Sequence, residues 1–401
     1  MNQNQRTLMD LILAAINEDY ANFTADKSLN IEALYEEAIS HQIHTLIYPV
    51  LRKYSNDTGL WVSFIQNRRQ DFLKDIALQE AHGNQMSTVL KEFYSNHIPV
   101  IILKGLVLRD YYPDPALRLM GDGDILVKPE DVETAKILLQ SLGYKAGKST
   151  LRHTGFQYEA YPEIELHTLL TNSEIGLAGE TFTDTVWDHA LPAFFLNTPV
   201  LKLSIYDQII HLFLHAGQHM CSGGFGLRQL CDIVLFLQVH MEEINLDHLF
   251  TITAKYQIHR FSLALLAVCE KLFHLNLPTV RLKELDETFI DLFIADIFAA
   301  GVYGRKTNER ANSTRLIKYM DTNNTQGKLG QINYWISFLF PTRNIIKNNY
   351  HYVIKHPYLL PVAWIHRMAR NLGKLFTFRI DTGVKNINEN RFKLLLWLQL
   401  R

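Results

Sequence analysis

The stretch Arg118-Leu119-Met120-Gly121-Asp122-Gly123-Asp124-Ile125-Leu126-Val127 decides how this chain folds. Upstream lies Val100-Ile101-Ile102-Leu103-Lys104-Gly105, and downstream Glu163-Ile164-Glu165-Leu166-His167. Each reads as a strand, and together they predict three neighbours in one sheet. Side chains on a strand alternate between faces, so Asp122 and Asp124 share a face and Gly123 points away. Ile125 to Val127 continue the strand as an apolar run that fits a core. Glu165 and His167 are likewise two apart, with Ile164 and Leu166 on the other side. Three carboxylates meeting at strand ends repel one another unless a divalent cation sits between them. Hard oxygen ligands with open positions suit Mg²⁺ or Mn²⁺, which bind through a few carboxylates plus substrate phosphates.

The residues around the acids extend the candidate site. Gly105 follows a strand and precedes a short helix, so Lys104 and Gly105 form a candidate phosphate seat. Arg118 carries a permanent, forked charge beside two aspartates. It is either their structural partner or a phosphate ligand. Gly121 turns the chain into the Asp-x-Asp strand. Lys128-Pro129-Glu130-Asp131 starts a helix that Gly143 ends. Residues 152–161 and 164–169 read as a hairpin turning at Pro162-Glu163, which delivers Glu165 as metal ligand or proton acceptor. His153 and His167 are candidates for the same pocket, with hydrogen-bonded core rings as the alternative.

These motifs resemble the polymerase-beta-type nucleotidyltransferase superfamily, and more closely its branch of uncharacterised bacterial nucleotidyltransferases. The branch carries a leucine-lysine-glycine strand end, matched by Leu103-Lys104-Gly105. An arginine precedes a glycine-aspartate-x-aspartate strand, matched by Arg118 and Gly121-Asp122-Gly123-Asp124. A later glutamate-leucine-histidine is matched by Glu165-Leu166-His167. The superfamily usually shows glycine-serine or glycine-glycine where this chain, like the branch, has Lys104-Gly105. The resemblance implies transfer of a nucleoside monophosphate from a nucleoside triphosphate, ATP first among them, to an acceptor hydroxyl. It implies Mg²⁺ on Asp122, Asp124 and Glu165, and phosphates on Lys104 and Arg118. Two alternatives stay open: a catalytically silent nucleotide-binding module, and an RNA-modifying transferase.

The flanking segments read as helices. Leu8, Leu11, Ile12 and Ala15 recur at helical spacing, as do Ile31, Leu34, Ala38 and Ile39, with Asn30 or Ser28 as a cap. Trp61 to Tyr94 is one or two long helices, either a buttress for the sheet or a lid. From Ser204 the chain is helical again, and His211, His215 and His219 fall four apart on one face. Three in a row cannot reach one ion, because the outer two are about 12 Å apart by helical rise. Two of them could share zinc with a ligand from elsewhere. In the resembled branch a similar helix precedes one with arginine and aspartate. Here these are Arg228 and Asp232, either a buried clamp or a nucleotide contact. Ser222-Gly223-Gly224-Phe225-Gly226 reads as a flexible connector.

The fold class expected is α+β: a small mixed nucleotidyltransferase sheet flanked by N- and C-terminal helical segments. The divisions expected are 1–90 helical, 91–175 catalytic core, 176–300 helical and 301–401 basic. A chain of 401 residues with 47% hydrophobic and 20% charged residues is ordinary for a soluble protein. It contains no apolar run of about 18 residues, so no transmembrane helix is expected. The polar start and the three cysteines, Cys221, Cys231 and Cys269, fit a reducing cytoplasm. The net charge of −1 conceals 17 basic and 4 acidic residues beyond position 300. That basic region either docks on the acidic remainder or contacts RNA or a membrane surface.

Overall fold

The alternation expected for the Asp-x-Asp strand is what divides the core in two. The computed structural model describes residues 1–26, 28–150, 152–171, 179–278, 281–304, 306, 310, 340–346, 350, 352–375 and 382–400. Seven strands form one mixed sheet: β1 (Ile101–Ile102), β2 (Asp122–Leu126), β3 (Lys145–Ser149), β4 (His153–Gln157), β5 (Glu163–His167), β6 (Leu191–Phe195) and β7 (Thr198–Lys202). Their order is β3-β4-β5-β2-β1-β7-β6. The three strands anticipated as neighbours are therefore adjacent, with β2 between β1 and β5. β2 runs antiparallel to β1 and parallel to β5.

Ile102, Ile125, Val127, Ile164 and Leu166 face one core, with Met86, Val89, Leu90 and Phe93. Those four lie on α4 (Val62–Ser95), a single helix of 34 residues. The long helical segment is thus a buttress beneath the sheet. Gly123 points at it, and a Cβ there would come within 2.7 Å of Met86 Sδ, so glycine lets helix and sheet close. Ile101, Leu103 and Leu126 face the other core, with Ile209 and Phe213 of α8 (Ile205–Ser222). α9 (Leu227–His240) and α11 (His259–Phe273) share that core. Upstream, Asn30 caps α2 (Ile31–Ser40) by accepting from the Ala33 amide at 2.9 Å.

Two features differ from the sequence expectation. The β6–β7 hairpin extends the sheet past residue 175, although Pro192 and Pro199 blur its strand pattern. The 222–226 connector is not loose: Phe225 is fully buried, and Arg310 donates to the Gly223 carbonyl at 2.9 Å. A packed aromatic and a guanidinium hold the backbone that its glycines would otherwise free.

At the far end, Leu394, Leu395 and Leu398 are buried in the larger core. The C-terminal helix Thr382–Trp397 therefore docks on the rest of the chain. The basic helix Leu360–Leu375 buries Ala363, half-buries Trp364 and Met368, and leaves Val362 and Ile365 exposed. The polar 301–330 stretch falls mostly, and the 335–339 apolar run entirely, outside the described residues, as do the side chains of Leu372 and Lys374. No described helix is long and apolar enough to cross a membrane.

Candidate active site

β2 and β5 pair in parallel with Asp124 opposite Glu165, so both carboxylates project from one face. Asp122, two residues before, joins them. Ligand oxygens of Asp122, Asp124 and Glu165 all lie within 4.8 Å of one another. Strand β1 closes the third side, where the Leu103 amide donates to the Asp124 carbonyl at 3.0 Å.

Lys104 follows in a left-handed backbone conformation, φ +46°. Such a conformation costs of order 1–3 kcal/mol in a non-glycine residue, and here it turns the chain from β1 into the short α5 (Gly105–Leu108). It also sets the Lys104 ammonium among the acids, 2.5 Å from Asp124 Oδ1 and 3.9 Å from Glu165 Oε2. The lysine read as a phosphate contact is thus an ion-pair partner of the acids in this structure. His167, almost fully buried, places Nε2 2.7 Å from Asp124 Oδ1 and 3.1 Å from Glu165 Oε2. His153 approaches Glu165 Oε1 at 3.5 Å.

The acids titrate apart. Burial, then repulsion from Asp124, pushes Asp122 up to about 6. Burial pushes Asp124 up as well, but Lys104 and His167 outweigh it and hold this carboxyl well below the usual range. Burial acts on Glu165 in the same sense, and the hydrogen bond from His167 together with the charges of Lys104 and His167 outweighs it, so its carboxyl is lowered. A raised carboxyl means the folded chain binds the extra proton between pH 4 and 6, where the unfolded chain has lost it. Without metal, the Asp122 contribution to stability should therefore fall as pH rises through about 6. Thermal melts of wild type and Asp122→Asn in a chelator test this. The variant should gain about 2 °C or more at pH 7 and lose the advantage near pH 4. Equal melting curves at pH 7 would show that Asp122 carries no such repulsion.

A cavity opens beside Asp122 and Lys104. Gly105, Arg118, Gly121, His215, His219, Arg228 and Asp232 also line it. Arg118 pairs with neither strand aspartate. Its Nε and Nη2 each donate to Asp232 at 2.7 Å, and Tyr112 Oη donates to Asp232 Oδ1 at 2.9 Å. Sequence spacing had paired Asp232 with Arg228, its neighbour four residues back. Instead Arg228 crosses to the Leu119 carbonyl at 2.8 Å and to Gln42. A helix of one turn places Arg228 and Asp232 side by side, but the fold offers Asp232 a better fork in Arg118. Gly105 lies directly beneath this clamp. A Cβ there would meet Arg118 Nη1 at 2.6 Å and Met120 Sδ at 2.9 Å. Gly105→Ala should therefore cost about 1–3 kcal/mol through overpacking, read as a shift in urea midpoint. An unshifted midpoint would show the clamp to be slack.

His215 and His219 meet at 3.1 Å between Nε2 atoms. Among the described residues neither groups with a third metal ligand, so the zinc alternative gains no geometry. Burial lowers His211 to about 3 and His219 to about 4, which leaves them neutral. Sequence reasoning missed Gln79 of α4. Its side chain accepts from the Met120 amide at 2.9 Å and donates to the Met120 carbonyl at 3.3 Å. That pins the backbone two residues before Asp122. The available signal was a lone glutamine on the helix face that carries Met86 and Phe93.

A family model described as uncharacterised nucleotidyltransferase matches residues 27–274. No curated protein matches the chain. Among solved structures it is similar to the antibiotic-resistance factor ANT(2'')-Ia, at 11% identity and a TM-score of 0.34. That likeness covers 45% of this chain and 92% of the other.

Proposed function

The chain belongs to the uncharacterised nucleotidyltransferase family, and from that premise we propose that it transfers a nucleoside monophosphate from a nucleoside triphosphate, ATP first among candidates, to an acceptor hydroxyl. The observation that carries this reading is the meeting of Asp122, Asp124 and Glu165, with their ligand oxygens within 4.8 Å. The donor set fits Mg²⁺ or Mn²⁺: oxygens only, from two strands, with room on the cavity side. Lys104 supports the fit, since its ammonium already sits where positive charge is needed. When bound, the ion would neutralise charge on the transferred phosphoryl group and its leaving oxygen.

The residues of the chain then divide the remaining work. Asp122, Asp124 and Glu165 would hold the cation. Glu165 is lowered in pKa, which suits a ligand better than a proton acceptor. Lys104, which stands beside Asp124 at the edge of the cavity, would offer its charge to the triphosphate. Arg118, held by Asp232, fixes the cavity wall and directs its field inward. His215 and His219 stay neutral and border the space for nucleotide or acceptor.

Incubation with labelled ATP, Mg²⁺ and a panel of hydroxyl acceptors tests the proposal. Pyrophosphate should appear with one acceptor class and vanish in a chelator. Release that persists in the chelator would overturn the metal assignment. One observation favours a second reading, a nucleotide-binding module without turnover: the Lys104 ammonium is paired with Asp124 and Glu165, two of the three acids. That reading predicts nucleotide binding with no pyrophosphate from any acceptor.

A further inference from the structure

We propose that His153, Glu165 and His167 form a second metal site, which takes a borderline divalent transition ion of the zinc and cobalt class. The β4–β5 register fixes it. His153 lies directly opposite His167 across the antiparallel pair, and Glu165 precedes His167 by two, so all three share a face. Gly155 stands opposite Glu165 and puts no side chain over the carboxylate. The potential ligand atoms all lie within 4.8 Å of one another.

The two histidine–carboxylate spacings fit one small ion. Two ligand atoms each about 2.1 Å from a tetrahedral ion are roughly 3.4 Å apart. His153 Nε2 lies 3.5 Å from Glu165 Oε1, and His167 Nε2 lies 3.1 Å from Glu165 Oε2. With one oxygen from the carboxylate, two imidazoles and Glu165 leave a fourth position open, the arrangement of an exchangeable rather than a closed site. The nitrogens select against Mg²⁺, which prefers oxygen. His167 Nε2 also faces Asp124 Oδ1 at 2.7 Å. Ligation exchanges that hydrogen bond for a metal bond, and Lys104 keeps Asp124 paired. The Nδ1 atoms of both rings are buried with no partner among the described residues. The outer hydrogen bonds that tighten structural zinc sites are therefore missing, and the ion should exchange freely.

The site shares Glu165 with the acid cluster, so the test separates the two. Co²⁺ is added to the full chain without nucleotide. Binding is followed by visible absorption, and the ligand shell by X-ray absorption at the cobalt edge. One ion with two imidazoles is expected. His153→Ala, or His153→Gln should alanine unfold the hairpin, should weaken binding by about tenfold or more and leave one imidazole. Asp122→Asn should retain both. A shell without imidazole, unchanged affinity in the His153 variants, or loss of Co²⁺ in Asp122→Asn would overturn the proposal. Transfer is not the readout, so an inactive chain would leave this result standing.

Discussion

Asp124→Asn is expected to lower nucleotidyl transfer by on the order of 10³-fold, because a bound ion contributes several kcal/mol to such a transition state. Of the three acids, Asp124 has the strongest claim on a cation. It is 1% exposed, and its carboxyl is held ionised by Lys104 and His167. The amide keeps shape and size but carries no charge. Some stability goes with it, since Lys104 would lose its 2.5 Å partner. Glu165 at 3.9 Å remains as a second partner, so the loss should fall at or below the low end of the 3–5 kcal/mol typical for broken buried pairs, about 2–3 kcal/mol. The variant should still melt cooperatively and should bind Mn²⁺ more weakly, as read by paramagnetic relaxation. Turnover at the wild-type rate would remove Asp124 from the chemistry.

The acid cluster was legible because strand geometry has a period of two. Asp122 with Asp124, and Glu165 with His167, needed only that alternation to share a face, and the parallel register placed them together. What lay outside its reach came from tertiary choice. Arg118 and Asp232 are 114 residues apart in sequence, and no local pattern says that Asp232 prefers Arg118 to Arg228. Gln79 reads as one more polar residue on a long helix until the sheet packs over it. Pro192 and Pro199 disguise a hairpin whose pairing depends on an edge already present. His153 reads as either a pocket residue or a core ring until the β4–β5 register sets it opposite His167. Short-range periodicity finds faces, whereas partners across elements require the packed chain.

The Arg118–Asp232 clamp should show the largest effect on stability. Both side chains are buried, with two charge-assisted hydrogen bonds at 2.7 Å and a third bond from Tyr112. Asp232→Ala leaves a guanidinium without its counter-charge and should cost about 3–5 kcal/mol, measured by denaturant unfolding. Replacing both partners by apolar residues of similar volume, Arg118→Met with Asp232→Leu, should recover most of that loss, since neither desolvation penalty remains. The double variant also separates two roles for Arg118. If the clamp only shapes the cavity wall, restored stability should bring transfer back to within about tenfold of wild type. If the guanidinium also attracts the triphosphate, transfer should stay low with a raised KM for nucleotide, because interactions lost equally from ground and transition states appear in KM. A double variant no more stable than Asp232→Ala would mean that this fold depends on the geometry of the ion pair itself and not on the volume it fills.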